Sequence, residues 1–365
     1  MLKPIRFLMI GGFLGAGKTT AIARLASYYV AEGKNVAIVT NDQAYDLVDT
    51  HTLRAGGFQV GEVPGACFCC KFDDLVGTIG DLSDQSVPDI VIAEPVGSCT
   101  DLVATVIEPM QQLFGDRFEL GPLVVLLKPE HGRKILCSTS GRGFSPKAEY
   151  IFLKQLEEAD AIAVNKIDKL TLERQQELLD RLADRFPETS AFGISARDGD
   201  GFDKLIDASS GPRKLRSNAM PMDYGTYAEG EAELGWLNGQ VAAAADEKFS
   251  LDDVTLAIVR SMEKRLTSEN CEVAHLKVLG QTLNDAAVAN VVGGGSQPEL
   301  SLASEIKTLN AELLVNARVA ADPELLESIV HAAAAEVQQS LGVSLKVGNI
   351  QRFRPAPPQP THGRE

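Results

Sequence analysis

A lysine and two threonines close a glycine-rich run near the start of the chain, GGFLGAGKTT at residues 11–20. Gly12, Gly17, Lys18 and Thr19 stand there in the spacing G-x-x-x-x-G-K-T. Glycines let backbone N–H groups curl around phosphate oxygens, and a helix starting directly afterwards adds a favourable dipole. Gly15 and Ala16 would line that cradle with Thr20 behind it. Lys18 is placed to reach the β- and γ-phosphates and to stabilise the charge of a transferring phosphoryl group, and the Thr19 hydroxyl to ligate Mg2+. A second concentration of chemistry is EVPGACFCCKFDD, residues 62–74, which holds Cys67, Cys69 and Cys70, three of the six cysteines. Thiolates are soft ligands suited to Zn2+, Cu(I) or Co2+. An extended backbone would put Cys67 and Cys69 on one face with Cys70 opposed, whereas a turn into a helix would bring Cys67 and Cys70 together. Glu62 or a second protomer could complete such a set. Buried core thiols and a redox pair are the competing readings.

AVNKID ends an apolar run with Asn165, Lys166 and Asp168. This N-K-x-D is the guanine-reading motif of P-loop GTPases. An ionised carboxylate only accepts hydrogen bonds, so Asp168 can take two from the N1/N2 edge of guanine, a donor pair that adenine lacks. Asn165 would tie loops together and the Lys166 stem would cover the base. GISAR follows, with Ser195 and Ala196 where such proteins carry a loop that contacts the base O6. Between the phosphate and base motifs, IVIAEPVG ends a strand in Glu94, placed to meet Mg2+ or its water, with Gly97 where an N–H could bond the γ-phosphate. Asp42, in IVTNDQAYD, is a second candidate for the Mg2+ shell. Residues 67–70 thus fall between the two segments, 41–49 and 94–97, that are expected to sense the γ-phosphate. By linkage, metal and nucleotide affinities would then alter each other by the same factor.

The elements that must hold these residues alternate between apolar runs and helical patterns. IRFLMIGG, NVAIVTND, DIVIAEPVG, PLVVLLKP, DAIAVNKID and AFGIS read as strands, several continuous in Val, Ile and Leu. KTTAIARLASYYVAEG and TLERQQELLDRLADRF read as helices. Strands buried on both faces and separated by helices predict a mostly parallel, doubly wound α/β sheet over residues 1–210, and the phosphate-loop motif between its first strand and helix makes the expected fold that of a P-loop NTPase. Residues 211–226, rich in Gly, Pro and Ser, read as a linker. Residues 227–353 give the order β-α-β-β-α-β of a smaller α+β, ferredoxin-like domain, with Ser250 as an N-cap, Pro323 in a first helical turn, and NDAAVANVVGGGSQPELS open to either loop or strand. The proline-rich residues 354–365 are expected to be disordered.

Composition narrows the function classes. The 365 residues carry 35 basic and 50 acidic side chains, a net charge of −15, which disfavours nonspecific binding to nucleic acid or anionic membranes. No signal-peptide pattern is read, nor an apolar run of about 18 residues that could span a bilayer. Clustered cysteines without such a pattern fit a reducing, cytoplasmic location, where they more often bind metal or do redox chemistry than form disulfides. Cys99, Cys137 and Cys271 stand alone and read as structural, and His51 and His131 are weak further ligand candidates.

Phosphate loop, C-x-C-C, E-x-x-G and N-K-x-D in this order resemble the CobW branch of the CobW/HypB/UreG family of SIMIBI-class P-loop GTPases. The resemblance spans roughly residues 5–207 and includes QLEEADAIAVNKID. Two features depart from the pattern: NDQAYD replaces the Glu-Phe-Gly stretch usual in CobW-like proteins, and a His-rich segment is missing. The UreG-type C-P-H, laid on this stretch, matches Cys67 and Cys69. The resemblance implies slow, Mg2+-dependent hydrolysis of GTP to GDP, coupled to delivery of Zn2+, Co2+ or Ni2+ to a client metalloprotein or a cofactor-synthesis protein, with a homodimer as one assembly. An alternative is a GTPase chaperone that gates a cofactor-dependent enzyme without metal cargo, as MeaB-like relatives do. Another is a metal-binding sensor whose nucleotide site is only structural.

Overall fold

The computed structural model describes residues 3–42, 50, 53–54, 56–137, 145–213, 220–291 and 297–363. The chain divides into two units: Met1–Gln43 with Phe58–Gly230 and Pro357–Glu365, and Ala44–Gly57 with Glu231–Ala356. Among the described residues no helix is long and apolar enough to cross a membrane.

The first unit is built on β1 (Ile5–Gly12), β2 (Val36–Asp42), β3 (Gln59–Pro64), β4 (Ile90–Glu94), β5 (Phe118–Leu127), β6 (Ala161–Val164) and β7 (Ser190–Gly193). They form one sheet in the order β3-β2-β4-β1-β5-β6-β7, and every pairing is parallel. Helices α1 (Lys18–Ala31), α2 (Phe72–Gln85), α3 (Pro146–Glu158), α4 (Leu172–Arg185) and α5 (Phe202–Ser210) are among its crossovers and flanks. Coverage on both faces explains why β1, β4 and β5 are nearly continuous apolar runs, buried except for half-buried Arg6 and exposed Glu119. After β1 the chain winds outward through β2 and β3. It then returns to β4 and continues past the other side of β1. A parallel sheet reversed in this way leaves its crevice at the carboxyl ends of the strands. The phosphate loop, Asp42, the cysteine turn, Glu94, Asn165 and Ser195 all follow or close the carboxyl ends of their strands.

The second unit has β8 (Gly235–Ser250), α6 (Leu251–Ser268), β9 (Glu272–Gln281), β10 (Ala286–Val291), β11 (Glu299–Leu302), β12 (Lys307–Ala320), α7 (Pro323–Leu341) and β13 (Ser344–Phe353). Its sheet runs β11-β10-β9-β12-β8-β13 and is antiparallel. β8, β9, β12 and β13 with the two helices reproduce the ferredoxin-like β-α-β-β-α-β arrangement. The stretch left open between loop and strand supplies the extra edge pair β10–β11. Ser250 caps α6 by accepting the Asp253 N–H at 3.2 Å, and Pro323 stands in the first turn of α7, which Asp322 caps. Leu276, Val278, Leu313 and Val315 from the sheet meet Ile258, Met262, Leu326 and Val330 from the helices in one apolar core. Arg318 and Trp236 take the alternate strand positions, outside that core, where Arg318 is buried with its guanidinium 3.9 Å from the centre of the Trp236 ring.

Two expectations are corrected. Residues 224–226 of the expected linker belong to a helix, Tyr224–Ala232, and the first unit extends to Gly230. The tail is not disordered up to Gly363, because the Thr361 N–H donates to the Cys69 carbonyl at 2.7 Å. Proline-rich composition removes helix and sheet as options, but it leaves an extended chain able to dock.

At the end of α3 the fully enclosed Glu158 carboxyl accepts hydrogen bonds from Thr100 Oγ1 (3.3 Å) and the Val103 N–H (3.1 Å). Burial above all pushes it up to about 8, with Asp101 adding to the effect. The folded chain therefore holds a proton that the unfolded chain releases near 4.5, so stability falls as pH rises from about 4.5 to about 8. Glu158→Gln keeps the shape without the charge. Its thermal midpoint should match that of the parent at pH 5 and exceed it progressively towards pH 8 in calorimetric scans.

Candidate functional site

β1 ends at Gly12, and α1 begins at Lys18 after a loop that three glycines make possible. Gly12, Gly15 and Gly17 have φ of 134°, 73° and 90°. A Cβ on Gly12 would lie 2.4 Å from the Leu126 carbonyl oxygen, and one on Gly17 2.4 Å from Asn165 Nδ2. The N-terminus of α1 has no side-chain cap, whereas α3 and α4 are capped by Ser145 and Thr171. Its N–H groups are thus left for a ligand. Lys18 Nζ folds back to donate to the Gly12 carbonyl at 2.9 Å, closing the loop where phosphates would lie. Thr19 Oγ1 donates to Glu94 Oε1 at 3.0 Å. These hard oxygen donors, one neutral and one anionic, fit a single Mg2+. Asp42 closes β2 in register with Pro64, and its carbonyl accepts the Gly65 N–H at 3.1 Å. Residues 43–49, expected to join Asn41 and Asp42 in sensing the γ-phosphate, and His51 lie outside the described residues.

The buried Asn165 amide joins three loops. Nδ2 donates to the Ala16 carbonyl at 2.8 Å, while Oδ1 accepts the N–H groups of Lys166 (2.8 Å) and Ala196 (2.9 Å). Lys166 adopts φ 64°, which turns the chain sharply after β6. Ser195 Oγ donates to Asp168 Oδ1 at 2.8 Å and fixes the carboxylate that would read the base. Ser195 and Ala196 therefore hold Asp168 and Asn165. The Ala196 N–H, expected near the base O6, is engaged by Asn165. Arg24 from α1 secures the same loop by donating to the Ala196 carbonyl at 2.7 Å and the Arg197 carbonyl at 2.6 Å. Sequence reasoning passed over Arg24, which reads as an ordinary helical surface charge.

Residues 94–97 are also held from a direction that the sequence does not signal. Gln155 of α3, buried, donates through Nε2 to the carbonyls of Gly97 (3.0 Å) and Cys99 (2.8 Å). A Cβ on Gly97 would come within 2.7 Å of Leu14 Cδ2 and 3.2 Å of the Leu14 backbone N, so a side chain there would press on the phosphate loop.

The cysteines sit in a turn between β3 and α2, closed by the Cys70 and Lys71 N–H groups donating to the Cys67 carbonyl at 2.9 and 3.0 Å. The turn gathers all three thiols: Cys67–Cys69 Sγ are 2.8 Å apart, Cys67–Cys70 3.2 Å and Cys69–Cys70 3.7 Å. Cys67 and Cys69 are buried and Cys70 is half-buried. Among the described residues they alone form a group of three or more Cys, His, Asp or Glu suited to one ion, so Glu62 lies outside the set. Three soft donors fit Zn2+ or Co2+ and leave one coordination position open. Asn41, at the end of β2, holds the turn by donating through Nδ2 to the Val63 and Ala66 carbonyls (both 2.7 Å) and accepting the Phe68 N–H at 2.8 Å. Cys99, two residues beyond Gly97, acts on the Cys67 thiol and helps to lower it, although it is not one of the three gathered thiols. Hydrogen bonds from Cys69 first, then from Cys70 and Cys99, hold the Cys67 thiol well below its usual value. The bond to Cys67 pushes Cys69 up, and likewise raises Cys70 to about 11. His131 is elsewhere, buried between Phe13 and Phe152 with ring centroids 5.6 and 6.3 Å away, and burial keeps its imidazole neutral.

The model of the CobW/HypB/UreG nucleotide-binding domain matches residues 6–192. The chain is 32% identical over 178 residues to the zinc chaperone YeiR of Escherichia coli (strain K12), covering 47% of this chain and 49% of that protein. It is 34% identical over 97 residues to the zinc chaperone CobW of Sinorhizobium sp, covering 24% and 27%. The chain thus spans about half the length of the first relative and about a quarter of the second. The crystal structure of Zn(II)-bound YjiA GTPase from E. coli superposes with a TM-score of 0.40 at 16% identity, over 92% of this chain and 99% of that one.

Asn165→Ala removes three hydrogen bonds at once and leaves the Ala196 N–H and the Ala16 carbonyl unanswered. At about 1 kcal/mol each, this should weaken binding of a fluorescent guanine nucleotide by roughly 100-fold and lower the thermal midpoint of the first unit.

Proposed function

We propose, from the premise that this chain belongs to the CobW/HypB/UreG family, that it is a slow, Mg2+-dependent GTPase that takes up a transition metal at Cys67, Cys69 and Cys70 and delivers it to a client protein. The observation that carries this reading is the suspension of the thiol triad between the two segments flanking the phosphate site. Asn41 holds the cysteine turn from the end of β2, and Cys99, whose carbonyl Gln155 holds together with that of Gly97, lowers the Cys67 thiol from the other side. A shift of either segment on gain or loss of a γ-phosphate would alter the spacing of the thiols, and with it metal affinity.

Each residue has a role in this cycle. Asn165 and Asp168 select guanine, with Ser195 and Ala196 holding them in place. Gly12, Gly15, Ala16 and Gly17 cradle the phosphates with the N-terminus of α1, where Thr20 lies in the first turn. Lys18 leaves the Gly12 carbonyl for the β- and γ-phosphates. Thr19 and Glu94, with Asp42 near them, hold Mg2+, which when bound neutralises charge building on the phosphoryl oxygens. The Gly97 N–H reports the γ-phosphate. A general base is not assigned, in keeping with a switch and not a high-turnover enzyme. The metal is cargo: the name zinc chaperone carried by two relatives supports Zn2+, and the soft donor set admits Co2+ equally, with Ni2+ a third candidate. The open fourth position suits transfer, since a client ligand or a second protomer can enter it. A cytoplasmic location and a client metalloprotein or cofactor-synthesis protein complete the proposal.

Anaerobic titration with Co2+ tests it, because tetrahedral thiolate ligation gives characteristic absorption bands. Those bands should appear in the parent, disappear in the triple variant Cys67→Ser/Cys69→Ser/Cys70→Ser, and differ in midpoint with and without a nonhydrolysable GTP analogue by roughly 5- to 150-fold. Undiminished binding in the triple variant would leave a chaperone that gates an enzyme without metal cargo. Cys99→Ser should retain the bands and lose most of the nucleotide dependence. Lys18→Ala should abolish GTP turnover; turnover surviving in that variant would place catalysis elsewhere.

A further inference from the structure

Residues 357–363 read PPQPTHG. Proline has no N–H, so within 357–361 only Gln359 and Thr361 carry backbone donors. Both are spent on the cysteine turn. The Gln359 N–H donates to Cys70 Sγ at 3.1 Å, and the Thr361 N–H to the Cys69 carbonyl at 2.7 Å. The His362 ring then stands edge-on to Phe72, with centroids 4.7 Å apart and planes at 86°. Phe72 is the buried first residue of α2. Three successive contacts therefore follow one short segment along Cys69, Cys70 and Phe72. Cys70 is the least buried thiol of the triad, so the segment seats on the side through which an ion or reagent would enter.

We propose that residues 357–363 form a strap over the cysteine triad, one that guards the thiols and retains the metal cargo until an extended peptide of a partner takes its seat. The retention half of this inference rests on the metal-binding reading above; the guarding half does not. Chemistry and geometry fit a cover that is meant to come off. A polyproline-type segment is extended before it docks, so seating it costs little chain entropy. An N–H donated to sulfur stabilises a thiolate with or without a metal on it. Two main-chain hydrogen bonds and one ring contact are few enough for a competitor to replace. The seat itself defines that competitor: an extended segment with backbone donors two residues apart and a ring one residue further on. The strap also lies beyond the second unit in sequence, since the chain rejoins the first unit at Pro357.

Two variants and a control test the strap in the full chain. Deletion of residues 357–365 removes it. Gln359→Pro removes the single N–H donated to Cys70 while preserving an extended chain. Gln359→Ala keeps that donor. Iodoacetamide labelling of Cys70 in the metal-free protein, read by peptide mass spectrometry and taken as the rate of the fully ionised thiolate from its pH profile, should be about tenfold faster in the deletion, several-fold faster in Gln359→Pro and unchanged in Gln359→Ala. Loss of bound Co2+ to a chelator, followed by the thiolate absorption, should accelerate in the same order. Equal Cys70 labelling in parent and deletion overturns the strap whatever the metal does. Unequal labelling with equal Co2+ loss overturns the retention role. Protection of Cys70 in a parent that takes up no Co2+ overturns the cargo reading and leaves the strap as a guard of the thiols.

Discussion

A parallel sheet buried on both faces has no lateral surface on which to display polar chemistry. Its strands must be apolar along their length, and polar side chains are affordable only where the strands end and the backbone turns away. In this chain that constraint concentrates everything reactive at one edge: Gly12, Asp42, Glu94, Asn165 and the loops after β3 and β7 all occupy the carboxyl ends. The phosphate loop, the Asp168 carboxylate and the thiol triad share the carboxyl end of the sheet because a doubly wound sheet gives them nowhere else to be.

What keeps so many turns in register is a pair of buried amides. Asn165 ties the phosphate loop to the loops after β6 and β7, and Asn41 ties the end of β2 to the cysteine turn after β3. An asparagine offers both donors and an acceptor from one rigid plane, so a single side chain can satisfy three backbone groups that would otherwise be buried unpaired. Gln155 does the same for residues 97 and 99. Such amides couple loops mechanically, because displacing one partner forces the others to find new bonds. In the proposed cycle this is the route by which a phosphate-dependent shift in β2 or β4 would reach the thiols.

The triad itself is poised between metal ligand and protonated cluster. With three sulfurs this close, one thiolate is stabilised by its neighbours, and its presence then resists loss of the next proton. A divalent cation bound there would relieve that resistance and displace the protons, so metal occupancy and thiol protonation would oppose each other in this turn. The proposed strap, an extended proline-rich segment, would close the half-buried side and add donors without adding acid.

The nucleotide-binding half was legible in the sequence because its signals are local. G-x-x-x-x-G-K-T needs glycines at fixed offsets for backbone reasons alone, and N-K-x-D and C-x-C-C keep their chemistry within four residues. Apolar runs of Val, Ile and Leu announced strands buried on both faces, and the helix cap at Ser250 and the proline at 323 placed the second unit's helices. The edge pair β10–β11 stayed ambiguous because the glycines and the one proline between its strands suit either a loop or a weak edge strand. Tertiary structure alone decided that the residues 67–70 form a turn and not a strand, since Asn41 fixes that choice from 26 residues upstream of Cys67. It alone gave Cys99 and Gln155 their roles, and it seated residues 357–363 on the triad. Those contacts join positions tens to hundreds of residues apart, and no periodicity or spacing along the chain encodes a meeting that only the folded sheet edge creates.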